Sequence, residues 1–421
     1  MTIKKQPGCS DPFEKDAIKV DDARRDILKR INVLSDFQKV PIRDSLNRVL
    51  FEAIHSPINV PAHDNSAMDG YALNSRDLPG EEIRSFPVIG TAYAGKPFHG
   101  QCGAGECVRV MTGAVMPEGT DSIVAQEHVN VLANDRIEIG GGHRQGQNVR
   151  CAGEDVKQGA LVFASGAKIR PADLGVMASL GINEVKVFRK PRVSFFSTGD
   201  ELRSLGEVLQ PGEIYDSNRY SLYGVLANCH VDIIDLGVVR DDPESIRQAL
   251  LSAAACSDMV LTSGGVSVGD ADYIKRVLKE VGDMDFWKIA MKPGRPLTFG
   301  KIKDCLFFGL PGNPVAVMVT FFQFVLPALT RLSGAEVKQT PTFVARCQDK
   351  IRKQPGRMEF QRAITHVDEQ GQLLVSLTGK QGSGILTSMS LANCFIVLPE
   401  DRGSVEVGED VGIQFLNSYC D

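Results

Sequence analysis

The alternation of strand-like and helix-like segments between residues 191 and 338 constrains the fold more than any other feature of the chain. Four nearly continuous apolar runs, each followed by a helical pattern, are PRVSFFSTG, HVDIIDLGVV, SDMVLTSGG and CLFFGLPGN. Apolar strands separated by helices are typical of a parallel sheet covered on both faces. The sequence therefore predicts a doubly wound parallel α/β domain over residues 191–338.

The flanking segments predict a multidomain α/β plus β chain. Residues 58–150 are rich in Gly, Pro and Val in short runs, which is typical of a β-rich N-terminal module with frequent turns. Residues 339–421 contain alternating apolar segments that predict a C-terminal β-barrel or β-sandwich.

Helical patterns occur on either side of the β-rich module. The spacing predicts a helix over 21–34 and another over 171–181. We therefore expect residues 21–57 and 151–190 to form a small mixed α/β linker domain, and residues 1–20 to be a flexible extension.

The composition is that of an ordinary soluble globular protein. Of the 421 residues, 43% are hydrophobic and 24% are charged, and the formal net charge is −5. This balance argues against a nucleic-acid or membrane-surface partner, so local groups have to recognise any anion. No apolar run approaches the roughly 18 residues of a membrane span, and the first twenty residues lack the apolar core of a signal peptide. We therefore expect a cytoplasmic protein.

Cysteine and histidine are scattered through the chain. The 10 cysteines form no CxxC motif, and the 7 histidines form no HExxH motif or Cys/His cluster. This pattern predicts reduced structural thiols. It also argues against a zinc site.

An unusual loop follows each predicted strand of the α/β domain. In an open α/β sheet, ligands bind at the carboxyl ends of the strands, where such loops meet. The four loops are Ser197–Glu201, Arg240–Asp242, Thr262–Tyr273 and Gly309–Pro314. The sequence therefore predicts a ligand site built from these loops.

The third loop contains groups that bind phosphate. Gly264 and Gly265 let backbone N–H groups approach a ligand, and a helix start follows. The hydroxyl groups of Ser263 and Ser267 add hydrogen-bond donors.

The fourth loop offers a second helix start. Asn313 is a favourable N-cap and Pro314 a favourable first helical residue, preceded by Pro311 and Gly312. We expect this helix start to face the same cleft.

Acidic side chains accompany these anion-binding groups. They are Glu201, Asp241, Asp242, Asp270 and Asp272. Carboxylates alone would repel a phosphate, whereas a hard cation such as Mg²⁺ binds carboxylate and phosphate oxygens together. The sequence therefore predicts a phosphate ester bound through Mg²⁺ by carboxylates of this set.

Helix capping is the alternative explanation for some of these acids. Acids near helix starts commonly cap N–H groups and complement the helix dipole. Asp270 or Asp272 fits such a cap, and Asp241-Asp242-Pro243 fits plain helix initiation. This alternative is weaker for Glu201, because Glu201 follows a strand through a glycine turn.

Basic residues cluster around a Pro-Gly turn at 293–294. Lys288, Lys292 and Arg295 lie there, and the neighbouring prolines restrain the backbone, which favours Lys292 and Arg295 as groups pre-positioned for an oxyanion. A second basic set contains Arg352, Lys353, Arg357 and Arg362. Surface solvation is the ordinary state of most such side chains.

The β-rich module contributes the polar run PAHDNSAMDGYA at 61–72. A turn explains Asp64-Asn65-Ser66 and the nearby glycine. A turn does not require the whole run through Asp69 and Tyr71, so a functional role is the favoured interpretation.

Eight motifs in this order resemble one family. They are DNSAMDGYA, MTGAVMPEG, GEDV, FSTGDEL, IYDSNR, TSGGVSVGDADY, KPGRP and GLPGNPV. They are similar to those of the molybdopterin molybdenumtransferases, the bacterial molybdenum insertases related to the E domain of gephyrin. The resemblance extends from about residue 22 to the end of the chain.

This resemblance implies a magnesium-dependent enzyme that takes adenylylated molybdopterin and molybdate, releases AMP and forms molybdenum cofactor. It implies an elongated homodimer of four-domain subunits, with a cleft between the α/β domain of one subunit and the β module of the other. It also suggests the molybdopterin adenylyltransferase and molybdoenzyme maturation proteins as partners, with no nucleic acid and no membrane.

The resemblance carries functional roles over to matching positions, which are Asp69, Thr112, Asp155, Glu201, Asp241, Asp272, Lys288, Lys292, Pro311, Pro314 and Arg362. Of the five acids in the loops, it selects Glu201, Asp241 and Asp272 as candidate metal ligands. Ser383, within Lys380-Gln-Gly-Ser, stands where a segment that contacts molybdate is expected. Three positions depart from the usual pattern: Ala316 replaces Ser, Arg295 replaces Lys, and His63 replaces an aromatic residue.

Two other functions remain open at this point. One is a molybdopterin adenylyltransferase, although such a domain alone would be shorter and would not need the two β modules. The other is a non-catalytic molybdopterin-binding scaffold, although no long linker or second domain is present to anchor a partner.

Overall fold

The computed structural model describes residues 17–264 and 273–417. The chain divides into two compact units. The first comprises Met1–Gln38, Asn47–Val49 and Phe188–Asp421, as far as these are described. The second comprises Lys39–Leu46 and Leu50–Val187.

The helices and strands follow one another along both units. The helices are α1 (Val20–Lys29), α2 (Pro171–Ser179), α3 (Ser217–Ala227), α4 (Pro243–Cys256), α5 (Tyr273–Val281), α6 (Pro314–Thr320), α7 (Leu326–Leu332) and α8 (Thr387–Leu391). The strands before residue 190 are β1 (Phe37–Pro41), β2 (Ile54–His55), β3 (Asn65–Ser66), β4 (Gly70–Leu73), β5 (Arg84–Ala92), β6 (Cys107–Val110), β7 (Ser122–Ala125), β8 (Val129–Leu132), β9 (Arg136–Ile139), β10 (Val149–Arg150), β11 (Leu161–Phe163) and β12 (Glu184–Phe188). The strands between 190 and 311 are β13 (Arg192–Thr198), β14 (Leu202–Arg203), β15 (Ile214–Tyr215), β16 (Asp232–Val239), β17 (Met259–Ser263), β18 (Asp283–Lys288), β19 (Met291–Lys292), β20 (Pro296–Ile302) and β21 (Cys305–Leu310). The last strands are β22 (Phe343–Cys347), β23 (Met358–Val367), β24 (Leu373–Leu377), β25 (Cys394–Leu398) and β26 (Asp410–Phe415).

The α/β part of the first unit is built on a six-stranded sheet in the order β16-β13-β17-β21-β20-β18. The four predicted strands, β13, β16, β17 and β21, are parallel neighbours. β20 and β18 extend the sheet in antiparallel fashion, so the sheet is mixed rather than purely parallel. The sequence pattern did not predict these two strands. β18 lies at the sheet edge, and its charged residues interrupt the apolar run that marked the central strands.

Helices cover both faces of this sheet, which confirms the doubly wound arrangement. Successive side chains along β13 point to opposite faces of the sheet. Phe195 therefore packs in one core with α3, α6 and α7, and Phe196 packs in a second core with α4 and α5. Both phenylalanines are fully buried. Strands buried on both faces explain why these segments appeared as continuous apolar runs.

The helical pattern that follows the fourth apolar run corresponds to Pro314–Leu332, which contains a π-helical turn at Phe321–Val325. Pro327 has no N–H to donate within the helix, and Arg24 Nε instead donates to the carbonyl of Gln323 at 3.1 Å. The segment is long and apolar enough to cross a membrane, which corrects the expectation that no run approaches that length. Most of it is buried in the core.

The C-terminal part of the first unit is a closed β-barrel. β23 pairs with both β24 and β25, and the ring closes through β22 and β26. This closure decides between the barrel and the sandwich that the sequence left open. β19 joins β23 in parallel, so the segment around Lys292 lies beside the barrel.

The second unit contains the predicted β-rich module. Its six-stranded sheet has the order β7-β4-β6-β5-β9-β8 and forms a half-barrel. The short pairs β10–β3 and β11–β2 form two separate two-stranded sheets in the same unit, and α2 begins at Pro171 as predicted.

The start of the fold differs from expectation in two ways. α1 ends at Lys29, earlier than the predicted 34, and Ile31 packs into the core beyond the helix end. Ile18 and Val20 belong to the folded part rather than to an extension. Ile18 N donates to Lys288 O at 2.8 Å, and Val20 is fully buried.

Candidate functional site

The parallel pairing brings the four predicted loops to one edge of the α/β sheet. Ser197 lies in register with Ser263, and Ser263 with Leu310. On the other side of β13, Thr198 lies in register with Val239. The loops that follow these strands therefore start side by side at the carboxyl edge.

Two glycines allow the third and fourth loops to approach each other. Gly264 has φ +95°, and a Cβ there would lie 2.7 Å from the carbonyl oxygen of Thr198. Its N–H donates to Leu310 O at 3.2 Å. A Cβ on Gly312 would lie 3.9 Å from the Cα of Gly264. A larger residue at position 264 would push the end of β17 away from the end of β13, where Thr198 lies.

The rest of the third loop lies outside the described residues. This applies to the predicted sites Gly265, Ser267 and Asp272, and to Asp270 as the alternative cap. Their roles stay predictions. Ser263 is described and buried, with 2% of its surface exposed.

Asn218 connects the third loop to the fourth loop, and sequence reasoning missed this residue. Its Nδ2 donates to Ser263 Oγ at 2.8 Å and to Gly312 O at 2.7 Å. Asp216, the N-cap of α3, accepts from Arg219 N at 3.1 Å. Both residues belong to IYDSNR, a motif that pointed to the family without suggesting a role for either side chain.

The acids after β13 and β16 lie close enough to repel one another. Burial raises the pKa of Asp241, and the negative charges of Asp200, Glu201 and Asp242 raise it further. Glu201 and Asp200 are exposed, and Asp241 is half-buried. The structure therefore brings Glu201 and Asp241 together as predicted and adds Asp200, which sequence reasoning did not single out.

Asp242 is a helix cap. Its Oδ1 accepts from the N–H groups of Glu244 at 3.1 Å and Ser245 at 2.9 Å at the start of α4. These hydrogen bonds hold the pKa of Asp242 below its usual range. Of the adjacent pair, Asp242 serves the helix and Asp241 remains available to a ligand.

These carboxylates match a hard divalent cation in donor type and charge, because a bound cation would relieve the repulsion at Asp241. Among residues 17–264 and 273–417, however, no group of three or more His, Cys, Asp or Glu side chains is placed to hold a metal ion. The third predicted ligand, Asp272, falls in the undescribed loop.

Arg362 in the barrel is a buried cation. It is 1% exposed, and burial lowers its pKa to about 10. Nε donates to Ser388 Oγ at 3.1 Å and Nη2 to Gly382 O at 3.0 Å. Within the described part of the chain, no carboxylate pairs with Arg362. A buried guanidinium with only neutral acceptors favours an anionic ligand nearby.

The loop that contains Ser383 links Arg362 to the α/β domain. Gln381 Oε1 accepts from Arg362 N at 2.8 Å, and Gln381 Nε2 donates to Arg362 O at 3.0 Å. Val315 N, in the first turn of α6, donates to Ser383 O at 3.0 Å. The barrel loop thus lies against the helix start formed by Asn313 and Pro314.

The predicted oxyanion cations lie in the segment between β18 and β20. Lys292 Nζ is 3.5 Å from Glu359 Oε1, and Glu359 is 3% exposed. Sequence reasoning missed Glu359, which orients Lys292 from the barrel. Arg295 is half-buried, and its carbonyl accepts from Ile289 N at 2.7 Å. Lys288 is exposed at the end of β18.

In the second unit, the structure brings Asp69 and Thr112 together. Asp69 Oδ1 accepts from Thr112 N at 2.7 Å and from Thr112 Oγ1 at 2.8 Å, which lowers the pKa of Asp69. Asp64 Oδ1 accepts from Ala152 N at 2.7 Å. Asp155 is exposed on the segment that follows.

Family models match nearly the whole chain. "MoeA N-terminal region (domain I and II)" matches residues 18–181. "Probable molybdopterin binding domain" matches residues 194–331. "MoeA C-terminal region (domain IV)" matches residues 344–416.

Curated relatives agree with these models. A molybdopterin molybdenumtransferase of Haemophilus influenzae is 43% identical over 94% of this chain and 98% of its own length. A protein of the same name from Nostoc is 33% identical over 91% of this chain and 90% of its own length. Gephyrin of Dictyostelium discoideum is 34% identical over 93% of this chain, which matches 61% of gephyrin.

A solved structure shows the same fold. The molybdopterin biosynthesis MoeA protein of Pyrococcus horikoshii is 31% identical and superposes with a TM-score of 0.82, covering 95% of this chain and 100% of that chain. These findings confirm the expected fold and the expected enzyme class, a transferase of molybdenum cofactor biosynthesis. The chain belongs to the molybdopterin molybdenumtransferase family.

Proposed function

We propose that the protein inserts molybdenum from molybdate into adenylylated molybdopterin, with release of AMP and formation of molybdenum cofactor in a Mg²⁺-dependent reaction. The observation that supports this most is that one unit contains both a group of acids and a buried cation that has no carboxylate partner among the described residues. Acids gather at the carboxyl edge of the sheet, and the loop held by the buried Arg362 contacts the helix start at the same edge.

The phosphate linkage is proposed to bind at the third and fourth loops. Ser263 would provide a hydroxyl, Gly264 would permit the close approach of the loop, since its own N–H is engaged with Leu310 O, and Gly265 and Ser267 would add further donors. The loop through Pro311, Gly312, Asn313 and Pro314 presents the start of α6, whose first-turn N–H groups and dipole favour an anion.

Molybdate is proposed to bind beside the barrel. The cations Lys292, Arg295 and Arg362 would hold its oxygens, with Ser383 as a hydroxyl donor and Lys288 at the entrance. Arginine suits this role because its forked donors match oxyanions. Glu359 would keep the ammonium group of Lys292 in place between substrate turnovers.

Mg²⁺ would be held by Glu201 and Asp241, with Asp272 as the third ligand, and would neutralise charge on the phosphoanhydride when bound. The loop donors and the cations would hold the phosphate linkage and molybdate in the relative orientation that the reaction needs. Positioning and charge stabilisation, rather than a protein nucleophile, supply the acceleration in this proposal. Asp69, Thr112 and Asp155 are proposed to complete the substrate contacts.

We also propose a cytoplasmic homodimer, as the family resemblance implies. The molybdopterin adenylyltransferase and molybdoenzyme maturation proteins are its proposed partners. The first unit exposes the apolar side chains of Val208 and Tyr223, at 82% and 53%. The five-segment division with boundaries near 20, 57, 150, 190 and 338 remains part of this proposal.

The experiment is a chromatographic assay of AMP release from adenylylated molybdopterin. The wild-type protein should release AMP only when molybdate and Mg²⁺ are both present, and the product should activate an apo-molybdoenzyme. No AMP release under these conditions would contradict the proposal and favour a scaffold. Adenylylation of free molybdopterin by ATP would favour the adenylyltransferase.

A further inference from the structure

We propose that Asn218 is a positioning residue that holds the third loop and the fourth loop at a set spacing, and thereby orients Ser263 toward the phosphate group of the substrate. This inference deepens the proposed function and rests on it. It assigns a role to a side chain on α3, a helix that the proposed chemistry does not otherwise use.

The side-chain amide nitrogen of Asn218 is the donor in both of its contacts. A backbone carbonyl can only accept, so the contact of 2.7 Å with Gly312 O identifies the nearer side-chain atom of Asn218 as the amide nitrogen. The same nitrogen lies 2.8 Å from Ser263 Oγ. Its two hydrogens thus serve residues 45 and 94 positions away in the chain, on two different loops.

The bond to Ser263 has a chemical consequence. Because Ser263 Oγ accepts from Asn218, its own hydroxyl hydrogen is directed away from Asn218, and in this proposal it donates to the substrate. Ser263 ends β17, directly before Gly264 and the proposed phosphate loop. A donor held in one orientation before the substrate arrives needs no rearrangement during the reaction.

Stability alone does not explain an asparagine at this position. Asn218 is 9% exposed, and its Oδ1 is buried with no hydrogen-bond partner among residues 17–264 and 273–417. The second carboxylate oxygen of Asp216, which is 3% exposed, also has no partner within this described part of the chain. Unfilled buried acceptors oppose folding, so the side chain is better explained by what its donors do. Both acceptors lie at the start of α3, on the sheet face that carries Ser263.

The test compares three variants in the AMP-release assay. Asn218→Ala removes the contacts, and Asn218→Asp keeps the shape but replaces the donors with a carboxylate. Both should lower kcat/KM for adenylylated molybdopterin about ten- to hundredfold, the scale of a misplaced reactive group, and leave the KM for molybdate unchanged. Asn228→Ala, at the exposed C-cap of the same helix, is the matched control and should behave as wild type.

A second readout does not depend on activity. Amide hydrogen exchange in peptides 259–264 and 309–314 should be faster in Asn218→Ala and Asn218→Asp than in wild type, because the two loops lose their connection. Unchanged exchange, or wild-type kcat/KM in Asn218→Ala, would overturn the inference. So would a lowered melting temperature with normal kcat/KM, or recovery of activity in Asn218→Asp.

The two proposals can fail separately. If the wild-type protein releases no AMP, the proposed function fails whatever the variants do. If it does and Asn218 acts through Ser263, the double variant Asn218→Ala/Ser263→Ala should lose no more kcat/KM than Ser263→Ala alone. Losses that multiply would overturn the inference and leave the proposed function intact.

Discussion

Arg362 shows how a single buried charge can indicate a ligand. The sequence places it in a set of basic residues whose ordinary state is surface solvation, yet the structure buries it in the barrel beside neutral acceptors. The family resemblance selected it, whereas local sequence could not, because burial depends on how β23 and the 380–383 loop pack. Its cost to folding is offset if an anion binds there.

Arg362→Met tests this interpretation. The variant keeps an apolar side chain of similar length and loses the charge, so molybdate binding should weaken by about 1.5–3 kcal/mol, the scale of hydrogen bonds to a charged group. Molybdate should raise the melting temperature of the wild type and not that of the variant. Arg346→Met, at an exposed barrel position, is the control and should keep the ligand-induced shift. Equal shifts in all three proteins would remove Arg362 from the site.

Lys292 is predicted to act on the same anion. Lys292→Ala should weaken molybdate use by roughly 1–3 kcal/mol, measured as the molybdate dependence of AMP release. Folding should change little, because the Lys292 side chain is 39% exposed and its contact with Glu359 is long at 3.5 Å. Arg295→Ala should have a similar effect on molybdate use. Titrations that coincide with the wild type for both variants would show that neither cation contacts molybdate.

At the scale of elements, continuous apolar runs predicted the strands buried on both faces, and alternating patterns predicted the barrel strands. The same rules missed β18, because an edge strand with charged residues lacks that signal. They also missed β20, which lies between β21 and β18 and is mostly buried. They also missed Asn218, whose partners are distant in the chain. The adjacency of the four loops followed from parallel topology, since the carboxyl ends of parallel strands meet at one edge.

The start of α4 gives a prediction about pH. The pKa of Asp242 is lowered in the folded state, so its stabilising effect is present above the ordinary value near 3.8 and is lost as the pH falls through the folded pKa. Asp242→Asn keeps a good N-cap, and should reduce the loss of thermal stability between pH 5 and acid conditions while leaving AMP release normal. An acid-unfolding profile identical to the wild type would contradict this assignment.

The contribution of Asp241 to stability should change with pH in the direction opposite to that of Asp242. Its pKa is raised in the folded state, so its contribution to stability grows as the pH falls through that pKa. Asp241→Asn removes the repulsion with Asp200 and Glu201 and should leave the protein at least as stable as the wild type at pH 7. Melting temperatures of the two adjacent variants, measured across the same pH range, provide the comparison.

For the whole molecule, we predict that two chains form the enzyme. Candidate site residues lie in both compact units, with Asp69 and Thr112 in one and the sheet edge and barrel in the other. Sedimentation at micromolar concentration should give twice the 45.7 kDa of one chain. A monomer with full activity would contradict the proposed homodimer.

The Mg²⁺ dependence of AMP release shows whether the acids at the sheet edge hold a metal ion together with an anionic substrate. Asp241→Asn should lose most activity at low Mg²⁺ and regain part of it only at far higher Mg²⁺, because a neutral amide oxygen is a poorer ligand for a hard dication. Asp242→Asn, one residue away and already engaged as a cap, should titrate as the wild type does. If Asp241→Asn shows wild-type turnover and wild-type Mg²⁺ dependence, the acids at this edge do not hold the metal and the account of the site is wrong.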